Sequence, residues 1–214
     1  MIWCRMTSSA TVLPLGRPQA STVLGSDGLP RRAFTADDVR RMTEAGILGE
    51  DDPFELIGGE LIQVAAKGFK HDRVRDLLAR RIIAAVDERI NVSVEGTLQV
   101  GSRSLIEPDI LVHRLADAAA SDDGYKVVAG KRVLLAVEVA VSSMPYDRRA
   151  KAELYARHGV EEYWIVDVNG ATTLVHSGPG AAGYGEIIAV PASDLLVPLS
   201  RELGGVSIRL SDLL

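Results

Sequence analysis

Cysteine is nearly absent: the 214-residue chain has one, Cys4. That excludes an internal disulfide framework and a cysteine-held zinc site. Aromatic residues are scarce, at 5%, so a glycosidase built on two carboxylates lacks the rings for a sugar-stacking cleft. No apolar run nears the roughly 18–20 residues that a membrane-spanning helix requires. The stretch from Met1 to Ser26 has no basic head followed by a hydrophobic block, so no secretory leader is expected and a cytoplasmic protein is. An excess of basic charge is missing too. Twenty-four Lys and Arg face 29 Asp and Glu, for a net charge of −5, whereas a nonspecific nucleic-acid coat protein should be basic. A local basic patch remains open: Arg73, Arg75, Arg80 and Arg81 on one segment and Arg148, Arg149 and Lys151 on another could form it, or could be solvated helix faces. No Walker-type or dinucleotide fingerprint is present.

What is there is a globular composition, 47% hydrophobic and 25% charged, enough for one domain with a sizeable core. Residues 1–32 are rich in Ser, Gly, Pro and Thr and read as a flexible tail in which Met6 offers an alternative start; residues 33–214 read as the domain. Thr35, with Asp38 three residues on, marks a capped helix running to Ala45 and stopped by Gly46. Phe54 to Val64 reads as a β-hairpin turning at Gly58-Gly59. The apolar positions Val74, Leu77, Leu78, Ile82, Ala85 and Val86 predict a long amphipathic helix over 70–89. Strands are expected near 92–100, 106–113, 132–141, 161–168, 171–176, 184–190 and 206–210. A second helix, over about 146–158 with Gly159 as its stop, makes a βαβ crossover between the 132–141 and 161–168 strands. Gly178-Pro179-Gly180 is expected as a turn. Together these elements describe an α/β domain with a mixed central sheet flanked by helices and preceded by the hairpin.

Glu138 interrupts the most apolar stretch of the chain, Val133-Leu134-Leu135-Ala136-Val137-Glu138-Val139-Ala140-Val141. A carboxylate inside a strand covered on both faces is costly unless paired, protonated or holding a metal. A second acid, Asp109, follows Glu107-Pro108 at the entrance of another strand. If the two strands are neighbours, the pair suits Mg²⁺, which usually takes one or two protein carboxylates plus waters. Lys151, on the helix after the Glu138 strand, could reach the same strand ends. The bland alternatives are a Glu138–Arg148 pair, an Asx turn at Asp109, a surface position for Glu60, and an ordinary Asp147–Lys151 pair on a helix face. His71 is expected to pack or cap its helix, Tyr155, Tyr163 and Trp164 to fill the core, and Glu161 and Glu162 to sit in solvent.

The segments Phe54-Glu55-Leu56-Ile57-Gly58-Gly59-Glu60-Leu61, His71, Glu107-Pro108-Asp109, Val137-Glu138-Val139 and Asp147…Lys151…Tyr155…Gly159-Val160…Glu162-Tyr163-Trp164-Ile165-Val166-Asp167 occur in one order. In that order and spacing the chain resembles the Uma-two family of restriction-endonuclease-like proteins, within the PD-(D/E)XK nuclease superfamily, over about residues 34–190. The resemblance implies a restriction-endonuclease-like fold and a metal-dependent endonuclease acting on nucleic acid, with DNA the expected substrate. It makes Asp109 and Glu138 ligands of Mg²⁺ or Mn²⁺, Glu60 an auxiliary acid and metal ligand, and Lys151 the catalytic lysine. One departure stands out: the superfamily lysine two residues after the acid is here Ala140. That departure keeps an inactive nuclease-fold binding or scaffold module as the alternative. A homodimer is the expected assembly, because duplex-cutting nucleases often pair two sites.

Overall fold

The structure is a computed structural model that describes residues 22–24, 28–49, 52–64, 66–122, 124–141, 143 and 147–214. Most of the expected tail, residues 1–21, lies outside these. Its end is paired: β1 (Thr22–Leu24) lies antiparallel to β2 (Pro30–Arg32).

Helix α1 (Ala36–Glu44) starts as the sequence predicts. Thr35 accepts the Asp38 N–H on its hydroxyl while the Asp38 carboxylate accepts the Thr35 N–H, a reciprocal capping box. The hairpin follows as β3 (Phe54–Ile57) and β4 (Glu60–Gln63). Gly58 and Gly59, at φ 60° and 97°, take the left-handed angles that a side chain would resist. Helix α2 (Phe69–Ala85) buries Val74, Leu78 and Ile82 against the main sheet.

The expected 92–100 and 106–113 strands are each broken in two. The first becomes β5 (Ile90–Val94) and β6 (Leu98–Gln99), the second β7 (Leu105–Ile106) and β8 (Ile110–Arg114). The causes are local. Glu95 sits at φ 49°, which no strand tolerates, and Pro108 has no N–H to give a ladder. Each segment thus leaves one sheet and enters another. Beyond them come β9 (Ala118–Ala120), β10 (Lys126–Val128), β11 (Val133–Ala140), a π-helical turn (Asp147–Lys151), α3 (Ala152–Arg157) and β12 (Glu162–Asp167). The chain closes with β13 (Thr172–Gly180), β14 (Gly183–Pro191), β15 (Leu195–Leu196) and β16 (Ile208–Arg209).

The main sheet has six strands in the order β14-β13-β12-β11-β8-β5. It is mixed: β11 and β12 run parallel, joined by the expected βαβ crossover, and the remaining neighbours are antiparallel. A second sheet, β4-β3-β7-β6-β10-β9, carries the hairpin. Two strand-level expectations are corrected. Gly178-Pro179-Gly180 is not a turn but the end of β13, with the turn at residues 181–182. Pro179 is tolerated there because β12 pairs only as far as Ser177, leaving that side of β13 with no ladder to supply. Glu162 is not in solvent. It is buried and accepts from Trp164 Nε1 at 2.7 Å and from the Leu199 N–H at 2.7 Å. Burial pushes its carboxyl above the usual range despite those donors.

Alternation along β11 sorts its residues onto two faces. Leu135, Val137 and Val139 face α2 and its core; Ala136 and Ala140 face the core under α3, with Tyr155 and Tyr163. Glu138 belongs to the second face, flanked by two alanines. Those small side chains leave room for the acid and for what reaches it.

Candidate active site

The β11–β8 register sets the geometry. Val137 pairs with Ile110, so one step further along these antiparallel strands Asp109 comes opposite Glu138. Asp109 sits just before its strand, where the Val139 N–H that would otherwise join the ladder donates to Asp109 Oδ2 at 2.7 Å. His71, in the first turn of α2, meets the same oxygen through Nε2 at 3.0 Å. Its other nitrogen lies 3.2 Å from Asp72. His71 is thus a partner of the acid rather than only a packing or capping residue. Asp109 Oδ1 is buried, and the Lys67 ammonium stands 3.0 Å from it. Burial acts to raise Asp109, but His71, Lys67 and the Val139 N–H outweigh it and hold its carboxyl at about 2.

Lys151 fills the place that Ala140 leaves. It ends the π-helical turn, where the wider winding brings Asp147 and Lys151 to one side; such turns recur at functional sites. Its Nζ donates to Glu138 Oε1 at 2.9 Å and lies 3.1 Å from Glu55 Oε1, with all three side chains buried. Tyr155 also donates to Glu138 Oε1, at 3.4 Å. Desolvation opposes the Lys151 charge, but Glu138, Glu55 and Asp147 hold the ammonium protonated well above the ordinary lysine range. Desolvation pushes the Glu138 carboxyl the other way, well up, and Asp109, Asp147 and Glu55 add to that against the pull of Lys151. Asp147 follows the pattern: burial raises it to about 6, although Ser143 Oγ donates to it at 2.6 Å.

The sequence-predicted site residues therefore separate. Asp109, Glu138 and Lys151 line one cavity of about 520 Å³, together with Asp147, His71 and Lys67. Glu60 does not join them: it opens β4, half-buried opposite Ile57, and lines neither this cavity nor its larger neighbour. The hairpin's acid at the site is Glu55, which sequence reasoning passed over. The signal was the one that marked Glu138, an acid inside an apolar run, Phe54-Glu55-Leu56-Ile57. The expected basic patch is divided too. Arg75 is tied to Asp72, Asp76 and Glu95, whereas Arg148 and Arg149 are exposed on the turn beside the cavity.

Among the described residues no three His, Cys, Asp or Glu converge as a ready metal cage. A hard cation that keeps its waters does not need one, because two carboxylates suffice for Mg²⁺. The donors fit. Asp109 carries a buried oxygen already matched to a cation, the Lys67 ammonium at 3.0 Å. Glu138 is raised first by burial and further by Asp109, Asp147 and Glu55, a repulsion that a divalent charge would relieve.

A mixed sheet with paired acids at its centre and a buried lysine beside them has the layout of a restriction-endonuclease-like nuclease domain. A family model described as "Uma2: Putative restriction endonuclease" matches residues 36–211, and the chain belongs to that family. The fold is also that of a crystal structure of "a putative nuclease belonging to DUF820" from Anabaena variabilis ATCC 29413. The two are 20% identical, with a TM-score of 0.66 over 84% of this chain and 97% of that one. No curated protein matches.

Proposed function

We propose that the protein is a divalent-metal-dependent endonuclease that hydrolyses phosphodiester bonds, with DNA as its substrate. One observation carries the proposal: Glu138 on β11 and Asp109 at the entrance of the adjacent β8 share a cavity with a buried lysine that sits 2.9 Å from Glu138. Asp109 and Glu138 would hold Mg²⁺ or Mn²⁺. When bound, such an ion supplies an activated water and neutralises charge on the scissile phosphate. The chain's own residues do the positioning. Val139 N–H and His71 fix the orientation of Asp109, and Tyr155 and Lys151 fix Glu138. The Lys151 ammonium is the group available to orient water or steady the phosphate, and Glu55 rather than Glu60 takes the auxiliary acid's part. Exposed Arg148 and Arg149 offer the nucleic-acid backbone the attraction that the net charge of −5 does not. Two copies would present two such sites to a duplex.

The rival reading, an inactive binding module, draws on the same ion pairs, since Lys151 between two buried acids also suits a purely structural role. Cleavage separates the two. The full chain with MgCl₂ or MnCl₂ is expected to nick supercoiled plasmid. Asp109→Asn and Glu138→Gln are each expected to slow this at least about 100-fold, because a lost ligand removes several kcal/mol of metal-derived stabilisation. No cutting of DNA or RNA by the native chain, or variants that cut as fast, would reject the proposal.

A further inference from the structure

Lys67 stands where two cavities meet. One is the 520 Å³ cavity of Asp109 and Glu138; the other, about 720 Å³, runs along the hairpin past Glu55, Glu95, Glu107 and Tyr125, and Lys67 lines both. Its ammonium bridges two acids, 3.0 Å from Asp109 Oδ1 and 2.7 Å from Glu95 Oε1.

The two acids differ in what they would lose if the ammonium left. Asp109 Oδ2 is pinned by His71 and the Val139 N–H, so the carboxylate keeps its orientation without Lys67. Its Oδ1 lies 3.0 Å from the Lys67 ammonium, the cation that covers it. Glu95 has a second cation, Arg75, and its own N–H reaches the Asp109 carbonyl at 3.3 Å. It remains anchored whether Lys67 stays or goes. Lys67 can go: its side chain is 34% exposed, on a long flexible stem just before Gly68 and the start of α2.

We propose that Lys67 is a built-in cation that covers the metal-facing oxygen of Asp109 and is displaced toward Glu95 when a divalent cation binds. The exchange replaces one positive charge by another, so the buried acid is never left without a counter-charge. A tethered ammonium competes at a high effective concentration, so it weakens metal binding. Once displaced, it stands at the junction of the two cavities, where a substrate phosphate can reach it. Metal and nucleic acid then favour each other's binding through one side chain. The inference rests on the metal-binding reading above.

The test is a MgCl₂ titration of the thermal midpoint of the full chain at constant ionic strength, with Asp109→Asn as the reference for nonspecific effects. Lys67→Met is expected to reach half-maximal stabilisation at a Mg²⁺ concentration lower by about fivefold or more, the low end of ordinary coupling between sites. Glu95→Gln is expected to require more Mg²⁺ than the native chain, because the ammonium loses its alternative anchor and stays on Asp109. A lysine with only a structural role would not move the two variants in opposite directions. A native chain that responds beyond Asp109→Asn, with Lys67→Met unshifted or shifted upward, overturns this inference and leaves the metal reading standing. If neither the native chain nor Lys67→Met responds beyond Asp109→Asn, both fall. If Lys67→Met does not fold, Glu95→Gln decides, and an unchanged or lower Mg²⁺ requirement overturns the inference.

Discussion

Replacing Lys151 with methionine is expected to cost about 3 kcal/mol of folding stability at pH 8, the low end for breaking a buried ion pair, and to abolish cleavage. The ammonium is enclosed between Glu138 and Glu55, themselves buried, so its removal leaves two largely desolvated acids without that counter-charge. The estimate sits at the low end because Glu138, already pushed up by burial, can take a proton instead. That escape fixes the pH dependence. A carboxyl whose folded pKa is raised binds its proton more tightly folded than unfolded. The variant's deficit is therefore absent below the ordinary glutamate value of about 4.3 and grows as pH rises through the raised folded value. Urea unfolding at pH 4 and pH 8 reads both ends, and an equal deficit at the two pH values would contradict the assignment. The double variant Lys151→Ala with Ala140→Lys sharpens the test. Position 140 is on the same face of β11 as Glu138 and two residues away, so the new ammonium points into the space the old one leaves. Recovery of at least half the lost stability is expected, and no recovery would mean that Lys151 matters through its packing.

Gly130→Ala is expected to destabilise the fold by about 3 kcal/mol, the upper part of the usual range for overpacking, and to cut activity with it. A Cβ on Gly130 would lie 1.9 Å from the His158 carbonyl oxygen and 2.6 Å from its carbon. These are backbone atoms, so no rotamer relieves the clash. Gly130 leads into β11, which carries Glu138, and His158 caps α3, the helix that continues from Lys151. Either the strand or the helix must shift, and each carries one half of the ion pair. Gly68→Ala is the milder comparison: its Cβ meets nothing within 4 Å, and glycine to alanine at a helix N-cap costs about 0.5–1 kcal/mol. Thermal or chemical unfolding of both variants checks the contrast; equal midpoints would contradict it.

The mixed α/β fold was legible because its signals are local. Thr35 and Asp38 sit three residues apart, the α2 stripe repeats at helical spacing, and the apolar β11 run with the helix after it forced a parallel crossover. The strand breaks at Glu95 and Pro108 were less visible, because the apolar pattern resumes on the far side of each and only the change of sheet reveals the bend. At the site, Asp109, Glu138 and Lys151 stood out by position or family pattern. Glu55, inside an apolar run, and Glu162, beside Glu161 at the entrance of one, did not, because a single chain does not say which strand acids find buried partners. His71 and Lys67 were harder still. His71 belongs to the family pattern, but its contact with Asp109, 38 residues on, and that of Lys67 are made by the fold and not by a local spacing.

On the proposed function, Asp109 and Glu138 together hold a divalent cation. Crystals of the full chain soaked in MnCl₂ test it directly through anomalous scattering. A peak is expected about 2.0–2.6 Å from an oxygen of each of the two carboxylates, with the Lys67 ammonium no longer against Asp109. No peak at saturating Mn²⁺, or one coordinated by neither Asp109 nor Glu138, would contradict the account.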